Sequence, residues 1–198
     1  MKTLKLATAF AISAVLVLGV VAIASGKPGK SALKELWNTP SVYPEVAVTV
    51  NGVPISGKWL SYAVVATQTN ERENGKAVSS RKKAVQEAID SIVDAELINQ
   101  EVAKRGYTAS NQDVTDYLAA QVADLLAHPD PDNQSLLDIV GVATWDDYVA
   151  HPAVREDVRK QLASATMFAE LEADPKFSLE KFKKELRRGA AIRVLFTP

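Results

Sequence analysis

The sequence predicts a mainly α-helical domain: a bundle of about five or six helices closed by a small sheet pairing its N-terminal and C-terminal strands, preceded by one transmembrane or signal helix. Three observations carry this. Val46, Val48 and Val50 alternate with Ala47 and Thr49, the period-two pattern of a strand with one buried face, and Asn51-Gly52 follows as a turn signal. A short strand needs a partner, and the other β-rich run outside the N-terminal apolar segment is Ala190 to Phe196, AAIRVLF. Between these two runs, apolar residues recur at helical spacing.

The chain divides into a targeting segment over 1–24, a linker over 25–45 and a body over 46–198. Met1 to Lys5 is a basic leader, and Leu6 to Ala24 runs nineteen residues without a charge, long enough for a membrane span. Leu6, Phe10, Val15, Leu18 and Val21 are the expected membrane-embedded side chains. Ala22-Ile23-Ala24 before Ser25 also fits a signal cleavage site, so a retained anchor and a cleaved signal both stand. Either one places the body outside the cytoplasm, membrane-anchored on the periplasmic side or, after cleavage, periplasmic or secreted. In the linker, Pro28, Gly29, Pro40 and Pro44 interrupt regular structure, while Ser31 to Trp37 has the pattern of one or two helical turns.

Composition narrows the function. At 198 residues, 47% apolar and 24% charged, the chain has material for one well-cored domain plus an appendage. Four lysines fall in the first thirty residues, which leaves 19 basic against 24 acidic residues in the rest. That mildly acidic body argues against nucleic acid as partner. Absence of cysteine excludes disulfides, thiolate metal sites and cysteine nucleophiles.

Taken in order, Ser56 is an N-cap for an amphipathic helix with Trp59, Leu60, Ala63, Val64 and Thr67 on one side, ending near Asn70. After a polar turn at Asn74-Gly75, Ser79 or Ser80 caps the longest helix. It runs through Arg105 to Gly106 with a stripe of Val85, Ala88, Ile89, Ile92, Val93, Leu97, Ile98 and Val102, and Glu96 interrupts the stripe's edge. Asp90, Asp94 and Glu101 read as a solvated face of it. Ser110 with Asp113 has the form of a capping box, followed by Val114, Tyr117, Leu118, Val122 and Leu125. His128 to Asn133, HPDPDN, is a proline-stiffened loop that lacks the glycine and distal glutamate of a calcium loop. Leu136 to Val140 is a short helix, Thr144 caps Trp145 to Tyr148, and a long helix follows Pro152 to about Ala173 with Val154, Val158, Leu162, Ala165, Met167, Phe168 and Leu171 inward. Ser178 caps the last helix, Leu179 to Arg188, before the closing strand.

Motifs for catalysis are missing. His128 and His151 each precede a proline in a loop setting, no nucleophile elbow or phosphate-cradling glycine loop occurs, and no His or Cys set has zinc spacing. No cofactor, metal or catalytic residue is assigned, and binding is the expected activity.

The stretch Val48 to Ser56 (VTVNGVPIS), the amphipathic helix after it, Ala88 to Ile98 (AIDSIVDAELI) and Lys104 to Ser110 (KRGYTAS) resemble the chaperone domain of the SurA and PrsA group. That resemblance implies a helical lobe closed by a terminal strand, and binding of unfolded or translocating polypeptide in a cleft lined by apolar and aromatic side chains. Trp59, Tyr62, Tyr117, Trp145, Tyr148, Met167 and Phe168 are the candidates for that cleft, with the core as the competing place for each. The group's parvulin isomerase domain has no room here, since Leu171 to Pro175 runs almost directly into Phe177-Ser178, so isomerase activity is not implied. The leading expectation is a membrane-tethered, non-catalytic chaperone-like domain; the alternative is an accessory subunit of a membrane protein complex using the same lobe for protein contact.

Overall fold

In the computed structural model, residues 41–73, 75, 77–128 and 133–197 are described. The membrane-segment expectations, from Leu6 to Ala24, and most of the linker lie outside them, as do Asp130 and Asp132. Among the described residues no helix is long and apolar enough to cross a membrane.

Asn51, at φ 53°, and Gly52, at φ 86°, make a two-residue turn of the left-handed kind that matches the twist of paired strands. The turn joins β1 (Val46–Val50) to β2 (Val53–Ser56), a strand the sequence reading did not assign. β3 (Ile192–Val194) pairs antiparallel with the other side of β1, so the order is β2-β1-β3. Thr49 lies opposite Arg193 and Val48 opposite Val194. The expected pairing of the domain's two ends is present, with the hairpin as an addition.

Seven helices follow among the described residues: α1 (Gly57–Glu73), α2 (Arg81–Lys104), α3 (Asn111–Ala127), α4 (Asn133–Val140), α5 (Trp145–Ala150), α6 (Pro152–Leu171) and α7 (Leu179–Arg188). The short α4 and α5 stand where Leu136 to Val140 and the segment capped by Thr144 were expected. Their starts follow local chemistry. Ser56, Ser80, Ser110, Thr144 and Ser178 each accept from the backbone N–H three residues on. At α3 the box is complete, because Asp113 also accepts from the backbone N–H of Ser110 at 2.9 Å. Gly106, at φ 78°, turns the chain out of α2 and lets Tyr107 N–H reach Val102 O at 3.1 Å.

Three packed clusters make the core. In one, Val48, Val50 and Ala47 of β1 meet Leu60 and Val64 of α1 and the stripe of α2 from Ala84 to Leu97. In another, Ile98 and Val102 at the end of α2 meet Ala163, Met167 and Phe168 of α6 and Phe182 of α7. The third joins Val114 and Leu118 of α3, Leu136 and Leu137 of α4, Tyr148 of α5 and Val154 and Val158 of α6. Thus α2 links the first two clusters and α6 the last two. On α6, Ala163 and Ser164 turn inward while Leu162 and Ala165 are only half-buried, a shift from the expected stripe.

Two further corrections concern the ends. Asp90 and Asp94 do not form a solvated face; they hold Arg187 of α7, and Lys183 Nζ lies 3.4 Å from Asp94. Ile192 and Val194 are 36% and 40% exposed, so β3 closes the sheet by backbone pairing. The apolar anchor at that end is Phe196, packed on the first cluster with its ring 5.1 Å from that of Tyr43.

Candidate functional site

A cleft of about 400 Å³ opens between α1 and α6 over the middle of α2. β2 contributes Pro54, Ile55 and Ser56, and α1 contributes Trp59. From α2 come Ile92, Ala95, Glu96, Ile98 and Asn99; from α6, Asp157, Lys160, Gln161 and Ser164. The floor is aliphatic and the α6 wall polar, the mixture that seats an amphipathic chain while fixing its polar groups.

One side of the cleft is held by a network that begins at the hairpin turn. Asn51 Nδ2 donates to Gln100 Oε1 at 2.8 Å, and Gln100 Nε2 donates to Glu96 Oε1 at 2.8 Å and to Val50 O at 3.1 Å. Asn51 also exchanges hydrogen bonds with the backbone of Ala191, accepting at Oδ1 and donating from N, both at 2.8 Å. One asparagine therefore ties the turn, the entry to β3 and the cleft-lining Glu96 together. On the opposite wall Ser164 is 2% exposed and Asp157 half-buried, and burial pushes the Asp157 carboxyl above its ordinary value. Lys160, one turn on, pulls in the other direction and lies 3.9 Å from Glu156.

Of the seven aromatic and methionine candidates, the structure brings Trp59 to the cleft. It is 40% exposed, and its ring meets that of half-buried Tyr62 edge-on at 5.7 Å. Trp145 and Tyr148 pack edge-on at 5.6 Å in the third cluster, where Tyr148 is 4% exposed. Half-buried Tyr117 joins them, so these rings stand behind the α6 wall. Burial raises both tyrosine hydroxyls above their ordinary values. Met167 and Phe168 are fully buried, Phe168 within a set of rings with Phe177 and Phe182, and they present no surface to a ligand. Their position at the crossing of α2, α6 and α7 explains why. Glu96, Asn99, Asp157, Lys160, Gln161 and Ser164 were not singled out as cleft residues; the one trace of them was the polar break that Glu96 makes in the α2 stripe. Among the described residues no group of His, Asp and Glu has the form of a metal site.

The profile of the SurA-like N-terminal domain matches residues 1–133, about two thirds of the chain, and the chain belongs to that family. Membership points to a chaperone-like, protein-binding role, and no parvulin isomerase domain is matched. No curated protein and no solved structure matches the chain.

Proposed function

We propose that this protein is a non-catalytic, chaperone-like domain that holds unfolded or extended polypeptide in the cleft between α1 and α6. The observation that carries the reading is Trp59, a large ring left 40% exposed at the rim of an aliphatic floor faced by polar side chains. An extended chain places alternate side chains on opposite sides, and such a cleft takes apolar ones below while Asn99, Gln161 and Ser164 meet backbone groups. The uncharged run from Leu6 to Ala24 supports tethering at a membrane with the body outside the cytoplasm.

The test is suppression of aggregation of an unfolded client by the full chain at stoichiometric amounts, alongside its Trp59→Ala form. We expect the wild-type chain to slow aggregation and Trp59→Ala to weaken client binding by about tenfold with little change in thermal stability. A wild-type chain that neither slows aggregation nor binds extended peptides sinks the reading. The same uncharged segment also suits a dedicated accessory subunit of a membrane complex. Purification from gently solubilised membranes separates the two: a fixed stoichiometric partner set favours the subunit, a heterogeneous set of clients the chaperone.

A further inference from the structure

The two edges of the three-stranded sheet differ in what they offer a new strand. Asn51 N–H bonds Ala191 O at 2.8 Å, and Leu195 N–H bonds Ala47 O at 2.9 Å. In an antiparallel ladder backbone groups point to alternate sides, so residues 191, 193 and 195 face β1. The N–H and C=O of Ile192 and of Val194 therefore point away from the sheet, and among the described residues nothing pairs with them. By the same alternation Val53 and Ile55 of β2 face β1, which leaves Pro54 on the outer edge, where it has no N–H to donate. β2 is thus blocked and β3 is open. Side-chain exposure agrees: Ile192, Val194 and Leu195 are 36%, 40% and 51% exposed.

Charge selects the kind of strand that fits. From Leu186 to Pro198 there are three arginines and no acidic residue. Arg187 is engaged by Asp90 and Asp94, whereas Arg188 and Arg193 are exposed without an ion pair among the described residues. Arg193 sits between the two outward-bonding residues, so across a new antiparallel strand it falls in the close, non-hydrogen-bonded pair, with Cα atoms about 4.5 Å apart. A like charge there is unfavourable, which counts against a second copy pairing about Arg193; an opposite charge is favourable.

We propose that the outer edge of β3 is a docking site for an extended polypeptide segment that adds as a fourth strand, with an acidic residue opposite Arg193 flanked by β-branched residues beside Ile192 and Val194. Its position on β3 makes it separate from the cleft at β2, and it does not depend on the cleft binding anything.

The probe is a seven-residue blocked peptide, Ser-Thr-Val-Glu-Val-Thr-Ser, against a control with lysine at its centre, added to the full chain while amide hydrogen exchange is followed. We expect the glutamate peptide at saturation to slow exchange at Ile192 and Val194 by about tenfold or more, with the lysine peptide much weaker. Val194→Pro removes an outward donor without removing a β1–β3 bond and should abolish that protection at an unchanged thermal transition. Arg193→Glu keeps the strand intact and should invert the preference between the two peptides, so the proposal is testable even if Val194→Pro does not fold. Equal protection by both peptides, or protection at Ile55 and Ser56 in place of β3, overturns it. So does protection present before peptide is added: if it grows with protein concentration the occupant is a second copy, and if it does not, the occupant is the chain's own upstream segment.

Discussion

Arg187 Nε donates to Asp94 Oδ1 at 2.5 Å, joining the last helix to the central one across 93 residues of sequence. The same guanidinium reaches Asp90 twice, at its carboxylate at 2.9 Å and its backbone carbonyl at 2.7 Å. Three directed bonds from one planar group set the angle of α7, and with it the entry of the chain into β3. Because Arg187 is one third exposed, solvent screens part of the attraction. We expect Arg187→Ala to destabilise the fold by about 1–2 kcal/mol, and a double-mutant cycle with Asp94→Ala to show coupling of about 1 kcal/mol. Urea unfolding measures both, and strict additivity would show that the contact contributes nothing.

Val50 and Val194 separate the roles of the two strands. Val50 is fully buried beneath α2, and Val50→Asp places a charge in the core, so a loss of roughly 3 kcal/mol or more is expected. Val194 is 40% exposed, and Val194→Asp should cost less than about 1 kcal/mol. Thermal unfolding of the two variants decides it; equal losses would mean that β3 is covered by something beyond the described residues.

Gly57 carries the close approach of the incoming chain. A Cβ there would lie 2.1 Å from Pro44 O and 2.8 Å from Tyr43 Cβ, and Gly57 N–H bonds Glu45 O at 3.1 Å. The obstructing atom is backbone, so Gly57→Ala must displace either residues 43–45 or the first turn of α1. A loss of about 1–3 kcal/mol is expected, read by calorimetry, and an unchanged midpoint would refute the tight packing.

The pH dependence of stability should carry the mark of Asp157. Burial holds its carboxyl above the ordinary value, so the native state binds that proton more tightly than the unfolded chain does. As pH falls through the raised native pKa, this residue therefore adds stability, and the gain is complete below its unfolded value. Glu101 acts in the opposite sense: burial pushes it up, but hydrogen bonds from Arg105 and Lys104 outweigh this and leave it lowered. Its contribution is present above the unfolded pKa and lost as pH falls through the native one. Asp157→Asn should consequently be more stable than wild type near neutral pH, with the difference closing in acid. Melting temperatures of the two proteins across pH test this, and a constant difference would remove the role assigned to burial.

Much of the helical layout was legible because its causes are local. The caps at Ser56, Ser80, Ser110, Thr144 and Ser178 use residues three apart, and the α2 stripe follows helical periodicity, so both are written in neighbouring letters. β2 was missed because Val53 to Ser56 is short and contains Pro54, and its strand character comes from pairing with β1. The contact of Arg187 with Asp90 and Asp94 was missed for a related reason: the two aspartates have the spacing of a solvated face, and the cation that engages them lies near the other end of the chain.

The sequence by itself determined the helices, their caps, the hairpin turn at Asn51-Gly52 and the family to which the chain belongs, because each rests on short-range spacing or on a contiguous motif. Tertiary structure alone decided which rings are core and which are surface. Trp59 and Phe168 are both large aromatics on amphipathic helices. Phe168 is enclosed by α2, α6 and α7, whereas Trp59 stands where α1 and α6 part over the middle of α2. Burial is a property of what packs against a side chain, and those neighbours are set by how the helices cross.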